Sequence, residues 1–193
     1  WSVPGLSGSA SDLLLFTAAT LGDVTSGSWS MFFDGSDVGL GDGANTFYEN
    51  VDAGWLDAAT GDLYLATNGD FSAGGVTGDD EDIYLFTDTT LGETTTGSWS
   101  RYFDGSDMAL DTATSEDIDG FWVDPTSGTL YLSSNDFFTI GVGVAGDKHD
   151  PYLCAPDSLG EDTACTPGFF WDAGAHGLAG GNVRGFSLTP GGG

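Results

Sequence analysis

Short apolar runs alternate with clusters of Gly, Asp, Ser and Thr along the whole chain, and the runs carry the period of strands rather than helices. In SWSRYFD, residues 98–104, Trp99, Arg101 and Phe103 fall on one face and Ser100 on the other. SWSMFFD, residues 28–34, sets Trp29, Met31 and Phe33 against Ser30 in the same way. That alternation predicts a half-buried strand. In DIYLFT the faces are Ile83 and Leu85 against Tyr84 and Phe86, so this strand is expected to be covered on both sides. DAATG at 57–61 and DPTSG at 124–128 predict short hairpin loops, with Pro at the second position of the latter and Gly closing each.

These elements recur. Residues 12–40, DLLLFTAATLGDVTSGSWSMFFDGSDVGL, match DIYLFTDTTLGETTTGSWSRYFDGSDMAL at 82–110 without a gap. NVDAGWLDAATGDLYLATN at 50–68 then matches DIDGFWVDPTSGTLYLSSN at 117–135. A decayed third copy aligns DPYLCAPDSLGEDTACTPGFFWDAGAHGL at 150–178 and NVRGFSLTPGGG at 182–193. The expected fold is therefore all-β: one domain over 1–193, with a threefold repeat of four-stranded units at 1–70, 71–137 and 138–193. The last copy lacks its fourth strand, giving about eleven strands, and a closed barrel-like or propeller-like arrangement is expected. Trp29, Trp99, Trp55 and Trp122 recur at matched positions, which reads as core packing.

Composition narrows the function. The chain has 3 Lys and Arg against 30 Asp and Glu, for a formal charge of -27. Such a polyanion excludes nucleic-acid binding by phosphate neutralisation and adhesion to an anionic membrane by a basic patch. No apolar run is long enough for a membrane span. With 6 Trp, 6 Tyr and 13 Phe it has enough apolar mass for a core. The acids are Asp rather than Glu, 25 against 5. Asp-rich loops suit turns and also the oxygen ligands of calcium, so Ca²⁺ is the expected cofactor.

Two acid groups repeat with the scaffold. Phe-Asp-Gly-Ser-Asp carries Asp34 and Asp37, then Asp104 and Asp107; it reads as a turn with Gly at positive φ, or as cation ligands. The second group is Asp79, Asp80, Glu81 and Asp82 with Glu116, Asp117 and Asp119, where crowded like charges favour a bound cation. No EF-hand spacing occurs, so ligands would converge from separate loops. His149 and His176 are the two histidines, and neither sits in a nucleophile pattern, so no enzyme is expected. Cys154 and Cys165 take the places of Phe86 and Gly97, and are expected to form a disulfide if the strands pair as a hairpin. The Thr-rich loop at 87–96 reads as plain turns or O-glycosylation acceptors. The chain opens on Trp1 rather than Met, which fits a processed export product or a fragment.

GSWSMFFDGSDVGL, GSWSRYFDGSDMAL and EDIDGFWVDPTSGTLYLS together resemble a tandem repeat of exported bacterial proteins. The resemblance covers almost the whole chain and implies an extracellular or cell-surface role with no attached chemistry. The third copy departs from it: the Gly-Ser-Asp of 105–107 is lost, and Gly181 stands where Glu116 does. The resulting expectation is a self-assembling, calcium-stabilised structural subunit of a surface filament or matrix. Trp1, Val3, Pro4 and Leu6 at one end, and Phe186 and Leu188 at the other, are its expected assembly contacts. The alternative is an adhesive module that binds carbohydrate or another surface ligand.

Overall fold

The computed structural model describes residues 1–41, 49–111, 116–178 and 180–189. They are all-β, interrupted only by three single 3₁₀ turns. β1 (Ser2–Val3) and β2 (Leu6–Ser7) form a small hairpin, and β3 (Leu13–Thr20) and β4 (Ser26–Phe33) form a long one. β5 (Val51–Leu56) and β6 (Leu63–Thr67) follow, then a small hairpin of β7 (Phe71–Ala73) and β8 (Val76–Gly78), then β9 (Ile83–Thr90) and β10 (Thr96–Phe103). The pattern repeats with β11 (Ile118–Val123), β12 (Leu130–Ser134), the small hairpin β13 (Phe138–Ile140) and β14 (Val144–Gly146), β15 (Tyr152–Ser158) and β16 (Ala164–Phe169).

Ten of the eleven expected strands are present. The eleventh, over 182–188, shows no strand pairing among the described residues. The sheets are partitioned differently from the sequence copies. One four-stranded antiparallel sheet has the order β10-β9-β6-β5 and the other β11-β12-β15-β16, so each joins two strands from one copy to two from the next. The registers match: Leu63, Tyr64 and Leu65 face Phe86, Leu85 and Tyr84, while Leu130, Tyr131 and Leu132 face Cys154, Leu153 and Tyr152. A copy's fourth strand and the next copy's first, β6 with β9 and β12 with β15, are hydrogen-bonded neighbours. The residues between them, which read as linkers, fold into the small hairpins. Gly74 and Gly75, at φ 60° and 87°, form the two-residue loop of β7–β8, a conformation that demands φ above zero at both positions. No sheet closes on itself among the described residues.

Burial follows the predicted faces on β9 and β10, but on β4 Trp29, read as core from its repeat position, is exposed. Ile83, Tyr84 and Phe86 on β9 are fully buried, as expected for a strand covered on both sides. One cluster packs Phe33 and Leu40 with Leu63, Leu65, Phe71, Phe86 and Trp99, between the β3–β4 hairpin and the first sheet. The other packs Phe103 and Leu110 with Phe121, Leu132, Phe138 and Tyr152, between the two sheets. Each such side chain contributes about 1.5–3 kcal/mol by leaving water.

The Phe16 ring lies over Gly27 and the Phe86 ring over Gly97, and a Cβ on either glycine would strike both the ring and a backbone carbonyl, that of Thr17 or of Thr87. In the third copy the same two positions hold Cys154 and Cys165, which form the expected disulfide with their Cα atoms 5.5 Å apart. The neighbouring Trp is replaced too: Trp99 lies against Gly74, and Pro167 against Gly141.

Candidate functional site

The Phe-Asp-Gly-Ser-Asp segments are corners that join one sheet to the next. β4 ends at Phe33, and the Asp34 carboxylate accepts the Ser36 N–H at 3.1 Å and the Ser36 hydroxyl at 2.7 Å, starting a 3₁₀ turn. Asp104 accepts the Ser106 hydroxyl in the same way. Gly35 and Gly105 are not at positive φ, as the sequence suggested; their φ values are -67° and -71°. Space is the reason for glycine there, since a Cβ would strike the carbonyl oxygens of Ser11 and Glu81. The left-handed residue comes four positions later, at Gly39 and Ala109.

Each corner grips a turn of the following hairpin. The Asp34 N–H donates to Thr95 Oγ1 at 2.9 Å, and the Thr95 N–H donates to Asp37 Oδ2 at 2.9 Å. The Thr95 hydroxyl donates to the Gly92 carbonyl at 3.0 Å. The second corner repeats this: Asp104 N–H to Thr163 Oγ1 at 2.9 Å, Thr163 N–H to Asp107 Oδ2 at 2.8 Å, and Thr163 hydroxyl to the Gly160 carbonyl at 2.9 Å. Trp99 Nε1 donates to the Val38 carbonyl at 3.0 Å, and the Gly141 N–H donates to the Met108 carbonyl at 2.7 Å. Asp37 and Asp107 are thus clamps that hold backbone. Thr95 and Thr163 are buried, which takes Thr95 out of the set of glycan acceptors. The signal for these clamps was present in the recurring Leu-Gly-x-x-Thr of 21–25, 91–95 and 159–163, of which only the second lies in the loop read as plain turns or O-glycosylation acceptors. Asp107→Ala is expected to cost about 1–2 kcal/mol and lower the melting temperature by roughly 3–6 °C, while Asp107→Asn keeps an acceptor and loses less.

The second acid group divides. Asp82 is a structural cap: Oδ1 accepts the Gly105 N–H at 2.9 Å and Oδ2 the Asp79 N–H at 3.2 Å. Asp12 and Asp150 bind Gly35 and Ala173 in the same manner. Arg101 pairs with both Asp82 and Asp104. Glu116 Oε1 accepts the Thr139 N–H at 2.8 Å, as Glu49 accepts from Ser72. Asp79 is exposed, and the Asp80 backbone carbonyl accepts the Ile118 N–H.

Asp117 and Asp119 lie where β11 meets β5 and the 182–188 segment. Asp119 accepts from Ser133 at 3.1 Å and Asn182 at 2.8 Å, with Arg184 at 3.5 Å. Asp117 Oδ2 accepts from Asn135 at 2.9 Å, but its Oδ1 is buried with no partner, as are Asn135 Oδ1 and Asn182 Oδ1. Burial, reinforced by Asp52, Asp80 and Asp119, pushes the Asp117 carboxyl up to about 8. Burial pushes Asp119 up to about 6 and Glu81 up to about 8, the latter helped by Asp80 and Asp82. Of these three carboxyls, only Asp117 has an oxygen among the buried atoms without a partner. Position for position, Asp117 corresponds to Asn50 and Asn182, and Asp119 to Asp52 and Arg184.

Among the described residues, one group of three acids and histidines brings its ligand atoms within 4.8 Å of one another: Asp147, His149 and Asp150. Both Asp150 oxygens already accept backbone N–H groups, from Ala173 and Asp147 at 3.1 Å each. The arrangement therefore reads as a cap like those of Asp12 and Asp82.

The expected assembly residues lie in two places. Trp1, Val3, Pro4 and Leu6 build the first small hairpin, with Trp1 exposed. Phe186 and Leu188 are half-buried, and Leu188 lies in a cleft with Trp55 and Trp122 of its own chain. No helix among the described residues is long and apolar enough to cross a membrane. No family model matches the chain, and neither a curated protein nor a solved structure matches it.

Proposed function

We propose that the chain is an extracellular structural subunit: three copies of one β-unit set side by side, associating with further copies into a surface filament or matrix. The observation that carries this reading is the corner-and-turn joint. It is made twice from matching residues, Asp34, Asp37 and Thr95, then Asp104, Asp107 and Thr163. A surface that joins like to like within a chain can do so between chains. Export is supported by the disulfide, which suits an oxidising compartment, and by the resemblance to exported bacterial repeats. Calcium is proposed at the partnerless oxygens of Asp117, Asn135 and Asn182, where it would also lower the self-repulsion of a -27 chain. The reading assigns no reaction to the chain.

A carbohydrate-binding role is the second reading. It is favoured by the open cleft that Pro4, Phe16 and Trp29 line, where an exposed indole could stack on a sugar ring. Negative-stain electron microscopy of the concentrated protein with calcium decides between them. Filaments or ordered sheets support the structural reading; dispersed particles that bind on a glycan array support the second.

A further inference from the structure

The turn that each corner grips has a third version, and nothing within the described chain grips it. Thr25 corresponds to Thr95 and Thr163, and its hydroxyl makes the same internal bond, to the Gly22 carbonyl at 2.9 Å. Thr95 and Thr163 are 1% and 5% exposed; Thr25 lies open to solvent. Trp29 is 41% exposed where its equivalent Trp99 is 8% exposed and bonded to Val38. Leu21 and Val24 flank the turn and are among the most exposed apolar side chains. The β1–β2 hairpin sits beside this face, in the place where β7–β8 and β13–β14 cover the two internal corners.

The corner has a third version as well. The turn Gly174–His176 has the shape of the other two: Leu178 N–H donates to the Ala173 carbonyl at 3.0 Å, as Leu40 does to Gly35 at 2.9 Å and Leu110 to Gly105 at 3.1 Å. Phe33 and Phe103 are fully buried in their joints, yet Trp171 at the same position is 37% exposed. Leu40 and Leu110 are buried, yet Leu178 is exposed. The third corner keeps the N–H of Asp172 and the carbonyl of His176, both in exposed residues, but has Ala175 where Asp37 and Asp107 clamp.

We infer that residues 21–29 of one chain, with its first hairpin, dock on residues 171–178 of a second copy, repeating the internal joint between molecules. This rests on the self-assembly reading above and names its surface. In the docked pair Asp172 N–H donates to Thr25 Oγ1, and Trp29 Nε1 donates to the His176 carbonyl. Leu21, Trp29, Trp171 and Leu178 leave water together. The occupant is a second copy because both halves of a joint already built twice in this chain are presented on it, the corner half lacking only the carboxylate that Ala175 replaces. The two surfaces differ, so the contact is head-to-tail and need not close.

The test is sedimentation of the whole chain with calcium over a concentration series. Wild type is expected to associate, and Thr25→Val combined with Leu21→Asn to weaken association about tenfold or more with only a small fall in melting temperature, since both sites are exposed and the bond lost, from Thr25 to the Gly22 carbonyl, is a surface one. Ala175→Asp restores the missing clamp and is expected to tighten association by about tenfold, although it adds negative charge. If wild type associates and all three substitutions leave the strength unaltered, this surface is wrong and the self-assembly reading stands. If wild type stays monomeric at every concentration, both fall.

Discussion

In a chelating buffer the melting temperature is expected to fall by roughly 5–10 °C as the pH is raised from about 5 to about 8.5. The folded chain holds the Glu81 and Asp117 carboxyls up to about 8 and Asp119 up to about 6, with burial the first cause in each. In the unfolded chain these groups return to about 4. Folding therefore takes up protons. The stabilisation is complete below about pH 4 and is lost as the pH climbs through the raised values. Calcium added at the high end should restore the melting temperature, because the cation replaces the protons, and should do little at pH 5. Asp117→Asn places at 117 the residue found at 50 and 182. It is expected to flatten the profile and to abolish most of the calcium response. A melting temperature independent of pH and of calcium would remove these oxygens from consideration as a cation site.

A second large effect is expected at Cys154 and Cys165. The double Ser variant should lose about 2–4 kcal/mol, a drop of roughly 5–10 °C. The informative variant is Cys154→Phe with Cys165→Gly, which recreates the ring-over-glycine pair seen at Phe86 and Gly97. It should recover at least half of the loss, measured under the same oxidising conditions. The two solutions are alternatives for one cross-strand site: an aromatic ring shields a bare backbone, or a covalent bond spans it. If Phe and Gly recover nothing, the third copy depends on the covalent link itself, and the loss of Trp99 to Pro167 is the reason to consider first.

The strands were legible because period two is imprinted by burial on one face. Trp99 and Phe103 are buried while Ser100 is exposed. The disulfide was legible because the repeat alignment put both cysteines at positions that must meet if the strands pair. The sheet partition was not legible. Which strand of one copy pairs with which of the next depends on connection geometry, and the glycine loops at 74–75 and 141–143 looked like linkers. The backbone role of the acids was hidden for a related reason. A sequence shows that Asp37 and Asp107 recur, but not that a Thr N–H from the next hairpin arrives at each. Asp117, by contrast, differs from Asn50 and Asn182, and it is the acid left with a partnerless oxygen.

The chain enters the first sheet at β5 and leaves it at β10, the two outermost strands of the order β10-β9-β6-β5, and it does so at the same end of the sheet. Tension along the backbone would therefore act across the strands and part their hydrogen bonds one rung after another, a compliant geometry, rather than load all the rungs at once in shear. The second sheet has the same entry and exit on β11 and β16, with one difference. The Cys154–Cys165 link ties β16 to β15, so peeling from that side stops at a covalent bond. Under load the molecule would be extensible at one end and arrested at the other, and the Thr95 and Thr163 clamps would set the force at which neighbouring sheets separate.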